Sequence, residues 1–266
     1  MLSSNDELTP ICQLKAFSEN VGLTNNVLIL FSLSIFAQEN EEAGEWAAAE
    51  YHFCDFNEGY DMDDLMRVVS KFNRFLDEYS EAGDYDAVLI QERYDVDNDW
   101  DYVWVGHWPS MEDMANATEN WFQNGGKIAA EFQKVSDCSA VRGWQYIYRF
   151  QPAESAVWPV NYRTCSLKEE YTHADVRDLY DRAAEKRTND GFPGGGRLFY
   201  QQFGSQDHDW DTYVQVSAPG SFADEAVIAE LSETVDYSAI NEEWASMVDC
   251  TPYVQYVGSY LTDPLE

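Results

Sequence analysis

The chain has 266 residues, 45% of them hydrophobic and 15% aromatic, and sets 49 acidic against 16 basic residues for a formal net charge of −33. That balance excludes nucleic acid as a partner, because phosphate recognition needs clustered Lys and Arg, and it disfavours an anionic membrane surface. It suits a hydrated acidic surface in a saline or extracellular setting, and the length suits two domains of about 100 residues.

The first distinctive segment is Val27 to Ala37 (VLILFSLSIFA), an uncharged apolar run followed at once by acidic residues. It is shorter than the roughly 20 residues a bilayer span needs and matches the apolar stretch of an export leader, with Ala37 at the cleavage position. Upstream, Lys15 is accompanied by Asp6, Glu7 and Glu19, which fits a start placed earlier than the leader itself. The expectation is a leader over 1–37, an acidic segment over 38–49 and an extracytoplasmic, periplasmic or secreted protein. The alternative is an ordinary buried strand or helix. No other segment is apolar enough to span a membrane, so none is expected in the mature chain.

The following hundred residues divide into alternating elements. Glu50–Phe56 is a short strand. Leu65, Val68, Val69, Phe72, Phe75 and Leu76 recur with helical period over 61–79. Ala87–Tyr94 and Asp101–Trp108 are strands joined by a polar turn. Ser110 caps a second helix running to about Lys134, which Gly125 and Gly126 break or kink. Val141–Phe150 is a last strand, giving the order β-α-β-β-α-β of a ferredoxin-like unit. A proline-containing linker over 151–160 follows.

The order then recurs over 161–266. Tyr162–Leu167 precedes a helix near 173–186, strands over Arg197–Phe203 and Thr212–Ser217, a helical region over 221–247 and a strand over Tyr253–Tyr260. The words recur too. Tyr51-x-x-Cys54 matches Tyr162-x-x-Cys165, Asp99-Trp100-Asp101 matches Asp209-Trp210-Asp211, and Asp137-Cys138 matches Asp249-Cys250. The chain reads as one domain duplicated over 50–150 and 161–266. Four cysteines allow three pairings. The duplication selects Cys54–Cys138 with Cys165–Cys250, and a ferredoxin-like sheet places its first and fourth strands side by side. Cys12 is left over, inside the leader.

Two such units in tandem resemble a fused member of the dimeric α+β barrel superfamily. That group includes antibiotic-biosynthesis monooxygenases, stress-responsive barrel proteins, NIPSNAP-like proteins and haem-binding relatives. The resemblance covers nearly all of the chain after residue 50, through topology and spacing rather than any matched motif, so it carries over no catalytic residue. It implies an α+β fold of two tandem βαββαβ repeats forming a pseudo-dimeric barrel, with helices outside and a cavity between the facing sheets. The chain is then a monomer with pseudo-dimeric repeats, or part of a higher assembly.

Strand alternation assigns side chains to that cavity. Placing Val88, Ile90, Val103 and Val105 against the helices turns Gln91, Arg93, Tyr102, Trp104 and Trp108 inward, with Gln201, Tyr213 and Gln215 from the second copy. Trp144, Tyr146 and Tyr256 join them from the last strands. This lining suits a small aromatic or apolar ligand held by sparse polar anchors, and the same aromatics also suit a packed interface between halves. His107 then points away from the cavity, and His52 corresponds to Arg163; either histidine is a structural residue, a general base or a haem ligand. Among the hairpin carboxylates, Asp97, Asp99, Asp207 and Asp209 form a weak Ca²⁺ pattern without the EF-hand glycine or distal glutamate, and a solvated acidic turn is the simpler reading. No cofactor is expected. Three functions remain: a ligand-binding barrel, a cofactor-independent monooxygenase-like enzyme, or a structural protein without a ligand.

Overall fold

The computed structural model describes residues 44–262 apart from 80–83, 95–97, 150, 152, 154 and 205–208. The expected leader over 1–37, with Cys12, and residues 38–43 of the acidic segment lie outside the described residues.

The described chain runs β1 (Glu45–Phe56), α1 (Met62–Glu78), β2 (Asp86–Glu92), β3 (Tyr102–Trp108), α2 (Met111–Asn124), α3 (Gly126–Val135) and β4 (Ser136–Arg149). It continues β5 (Val157–Leu167), α4 (His173–Asn189), β6 (Gly195–Phe203), β7 (Thr212–Ala218), α5 (Phe222–Ser232), α6 (Ser238–Met247), β8 (Val248–Cys250) and β9 (Val254–Tyr260). Local chemistry explains the helix starts. Asp61 and Thr172 open α1 and α4 with reciprocal capping boxes to Asp64 and Asp175, each satisfying two amide donors that a helix start leaves unpaired. Ser110 caps α2 as expected, and Gly125 separates α2 from α3.

The strands form one antiparallel sheet in the order β7-β6-β4-β1-β3-β2-β9-β5-β8, and an additional β5–β7 pairing closes it into a barrel of eight strands. β8 is a short extension paired only with β5. The first half contributes the order β4-β1-β3-β2, the second β9-β5-β7-β6, and the seams are β4–β6 and β2–β9. Closure leaves no exposed sheet edge around the barrel.

Three strands begin five residues earlier than the sequence suggests: β1 at Glu45, β4 at Ser136 and β5 at Val157. Pro159 is tolerated because β7 joins β5 only from Asn161, so the strand is one-sided where the proline sits. Both expected disulfides are present, Cys54–Cys138 and Cys165–Cys250, each with Cα atoms 4.1 Å apart across directly opposed ladder positions.

Packing is divided by the barrel wall. Inside, Ala49, Tyr51, Val88, Ile90, Val103, Val105, Trp158, Val160, Phe199, Val216 and Tyr256 form one cluster. An eight-stranded barrel is just wide enough for its side chains to fill, and here the valines of β2 and β3 leave room for rings from β1, β5, β6 and β9. Gly258 faces Trp158 across the β5–β9 ladder, and a Cβ there would stand 2.8 Å from the indole. Outside the first half, α1 and α3 cover Leu89, Tyr102 and Trp104. Outside the second, α4 and α6 cover Tyr146, Leu198 and Tyr213.

Candidate functional site

This division reverses the expected phase of β2 and β3. Tyr102 and Trp104 lie behind the wall in the helix layer, where Trp104 packs edge-on against Phe72 and Phe132 and donates its indole N–H to Tyr85 Oη at 2.7 Å. Trp108 packs on Met114 of α2. Gln91 shares the outer face with Leu89. Arg93 is also outside, paired with Glu225 of α5 at 3.3 Å and stacked on Phe222.

Tyr146 of β4 and Tyr213 of β7 belong to the outer core under α4 and α6, and Trp144 meets the outward Trp46 edge-on. Gln215 accepts from Arg163 Nε at 2.6 Å, and the Arg163 guanidinium stacks between Trp244 and Tyr253 at 4.2 Å from each ring. Of the eleven residues expected in a shared cavity, only Gln201 and Tyr256 face inward. The correction has a physical cause: both faces of every barrel strand are buried, so alternation alone carries no polar side to fix its phase.

The same correction turns His107 inward, on the side of Val103 and Val105, and it gathers a polar cluster that the sequence reading missed. His107 Nδ1 lies 3.1 Å from Asp86 Oδ2, and its Nε2 lies 3.0 Å from Arg197 Nη1. Arg197 Nη1 also reaches Gln145 Oε1 at 3.4 Å. A guanidinium only donates, so Nε2 must accept, and Nδ1–H then donates to Asp86. Asp86 and Arg197 together fix one neutral tautomer of the imidazole.

Four strands bring these residues to one end of the barrel: β2, β3 and β4 from the first half, β6 from the second. The wall beside them is thin, because Ala49 opposes His107 and Ala47 opposes Gln145 in the β1 ladders. Asp86 and His107 keep 13% of their side-chain surface exposed, so this end reaches solvent. Gln145 is fully buried, and its Nε2 has no partner among the described residues.

Deeper in, Tyr51 and Tyr162 stand edge-on with ring centroids 6.3 Å apart, and Tyr51 lies 4.7 Å from Phe199. Burial pushes the Tyr51 phenol up to about 12 and the Tyr162 phenol well above its ordinary value, against the opposing pull of the Arg197 charge. Tyr256 and Trp100 carry the ring contacts to the far mouth. That mouth is a depression of about 430 Å³ lined by Phe53, Trp100, Cys138 and the carboxylates Asp55, Asp99 and Asp137. A second depression, of about 620 Å³, lies over α1 and α3 and does not touch the barrel interior.

The remaining polar expectations resolve separately. His52 pairs with Glu50 at 3.1 Å on the outer face. Burial alone would raise the Glu50 carboxyl, but His52 and Arg142 pull it below its ordinary value. Asp97 and Asp207 lie outside the described residues. Asp209 accepts from the Asp211 amide within its turn, and among the described residues no cluster of three or more His, Cys, Asp or Glu could hold a metal ion. Among those residues, no helix is long and apolar enough to cross a membrane.

No protein-family model and no curated protein matches the sequence. Solved structures do. A provisionally named monooxygenase from Fusobacterium nucleatum aligns at 8% identity over 82% of this chain and 93% of that one, with a TM-score of 0.54. Another, from Lactobacillus acidophilus, aligns at 11% identity over 82% and 95%, with a TM-score of 0.53. At these identities the likeness is one of fold: an antiparallel barrel with its helices outside.

A chlorite dismutase from Candidatus Nitrospira defluvii, in complex with imidazole, also aligns over 81% of this chain and 92% of that one, at 10% identity and a TM-score of 0.43. The blanket expectation of no cofactor is withdrawn. The described residues nonetheless do not fit a haem. A macrocycle needs a wide flat slot with an axial side chain facing it, and the rings packed in the barrel interior leave no slot of that width. His107 is held at both nitrogens, His52 pairs with Glu50, and His173 donates Nε2–H to the Trp210 carbonyl while packed edge-on against Tyr200.

Proposed function

We propose that this chain is an exported α+β barrel protein, built from two fused ferredoxin-like repeats, that takes a small aromatic molecule into the His107 end of its barrel. One observation carries the reading. Asp86, His107, Arg197 and Gln145 form a connected polar run inside an otherwise apolar and aromatic interior, with one amide donor left over. Buried polar groups destabilise a core unless they are satisfied or used, and a purely structural barrel could fill the same space with aliphatic side chains.

Fusion is supported by register. Cys54 opposes Tyr102 and Cys138, and Cys165 opposes Tyr213 and Cys250, the same cross-strand relations in each half. The boundaries 50–150 and 161–266, joined by the 151–160 linker, follow from that correspondence. Export is supported by the two disulfides, which persist in oxidising compartments, by the acidic composition and by the apolar run before Ala37.

A second reading, a monooxygenase-like enzyme, is favoured by the Asp86–His107 pair. Asp86 orients the ring, and a ligand oxygen that draws Arg197 away leaves the Nε2 lone pair free. His107 then takes a proton from a ring hydroxyl, and Asp86 stabilises the resulting imidazolium. Untargeted mass spectrometry of small molecules released by denaturing the purified chain tests the binding reading. An aromatic compound retained by the native chain and depleted in Arg197→Gln supports it, whereas identical release from both overturns it.

A further inference from the structure

The reading above leaves the ligand's chemistry open. Resting on it, we infer that the ligand is a small aromatic monoanion, a ring bearing one carboxylate or comparable oxyanion, received by Arg197 and Gln145.

The first observation is a cation without a direct carboxylate contact. Among the described residues no carboxylate lies within ion-pair distance of Arg197; its partners are the neutral acceptors His107 Nε2 and Gln145 Oε1. Carboxylates are not scarce, since the chain carries 49 acidic residues and supplies them to Arg67, Lys71, Arg93, Lys168, Arg182 and Lys186. Asp86 is near, but it sits behind the imidazole on Nδ1. The guanidinium thus meets Asp86 only through the imidazole, and no described carboxylate contacts it directly.

The second observation is independent of charge. Gln145 is fully buried and its Nε2 donates to nothing described. A guanidinium has five N–H donors, of which two described contacts use only Nη1. Every unfilled hydrogen-bonding position here is a donor, so the missing partner brings acceptors. An oxyanion satisfies both the donors and the charge, and charge-assisted hydrogen bonds of this kind are about twice as strong as neutral ones.

The rest of the molecule limits the ligand's body and its route. Tyr51, Trp158 and Phe199 pack in the interior on the Arg197 side, and an entering ring would stack against them. Asp86 stands a single residue away from Arg197, so a second negative charge on the ligand meets repulsion without a second cation. The far mouth presents Asp55, Asp99 and Asp137 and repels anions, which leaves the His107 end as the entrance.

The test uses calorimetric titration of the full chain with its disulfides intact, comparing benzoate with its neutral isostere benzamide and the dianion phthalate. Benzoate is expected to bind at least about tenfold more tightly than either, the scale of one charge-assisted contact. Arg197→Gln should abolish that preference while Arg197→Lys, which keeps the charge, retains part of it. If Arg197→Gln does not fold, the wild-type comparison and the lysine variant still decide the matter. Benzamide binding as tightly as benzoate overturns the anion assignment and leaves a ligand-binding barrel. Absence of binding by all three, with His107 unperturbed, overturns the site itself.

Discussion

His107 of β3 and Arg197 of β6 meet inside the barrel with Nε2 and Nη1 3.0 Å apart, although 90 residues separate them and they come from different halves of the chain. The contact fixes the imidazole tautomer and exists only when both halves are assembled. A site of this construction needs the fused barrel, since neither half alone holds both groups.

Trp104 belongs to the helix layer rather than the barrel interior. Trp104→Ala is therefore expected to destabilise the fold by about 3–5 kcal/mol, the cost of emptying a buried aromatic site, without changing the benzoate to benzamide preference of the folded fraction. Denaturant unfolding read beside calorimetry checks both halves of the statement.

Gly258 lies beneath the Trp158 indole. Gly258→Ala should cost about 1–3 kcal/mol through overpacking, seen as a lower unfolding midpoint. Adding Trp158→Phe, which shortens the opposing ring, should recover part of that loss.

The disulfides close loops of 84 and 85 residues in sequence separation. In the chain-entropy description each contributes about 4–5 kcal/mol. Reduction should lower the melting temperature sharply, and the double variants Cys54→Ala/Cys138→Ala and Cys165→Ala/Cys250→Ala should each reproduce part of the drop. Alkylation of four thiols in the non-reduced mature chain would refute both bridges.

The buried phenols set an alkaline limit. Burial raises Tyr51, Tyr146 and Tyr213 to about 12. A phenol whose folded pKa exceeds its unfolded value near 10 stabilises the fold while neutral; that contribution is complete below pH about 10 and is lost as pH rises towards about 12. In a site-resolved NMR titration the Tyr51, Tyr146 and Tyr213 rings should therefore ionise only as near-ultraviolet dichroism is lost. Ionisation of these three rings near pH 10 in a chain that stays folded would contradict their burial.

Much of the fold was legible in the sequence. The paired Tyr-x-x-Cys and Asp-Cys words led to both disulfides and to the matching register of Tyr102 with Tyr213. Ser110 and Gly125 marked the limits of α2 through capping and backbone chemistry. The phase of the strands was not legible. Val103 and Trp104 are both buried, one inside the barrel and one under helices, so hydrophobicity does not distinguish their faces. The site was hidden for a different reason. Asp86, His107, Gln145 and Arg197 are scattered along the chain without a motif, and only pairing across β2, β3, β1, β4 and β6 brings them together. Arg197 as the one basic residue in Arg-Leu-Phe-Tyr was the available signal, since a charge opening an apolar strand of a closed barrel faces either solvent or a use.

The central claim, that the His107 end of the barrel receives the ligand, is tested most directly by nitrogen-15 NMR of the histidine side chains during titration with benzoate and with benzamide. The free protein should show His107 neutral, protonated at Nδ1 and accepting at Nε2. Benzoate should shift the Nε2 resonance as Arg197 turns to the carboxylate, and the shift should vanish in Arg197→Gln. An imidazole protonated at Nε2 in the free protein, or a His107 signal indifferent to both ring compounds, would contradict the account.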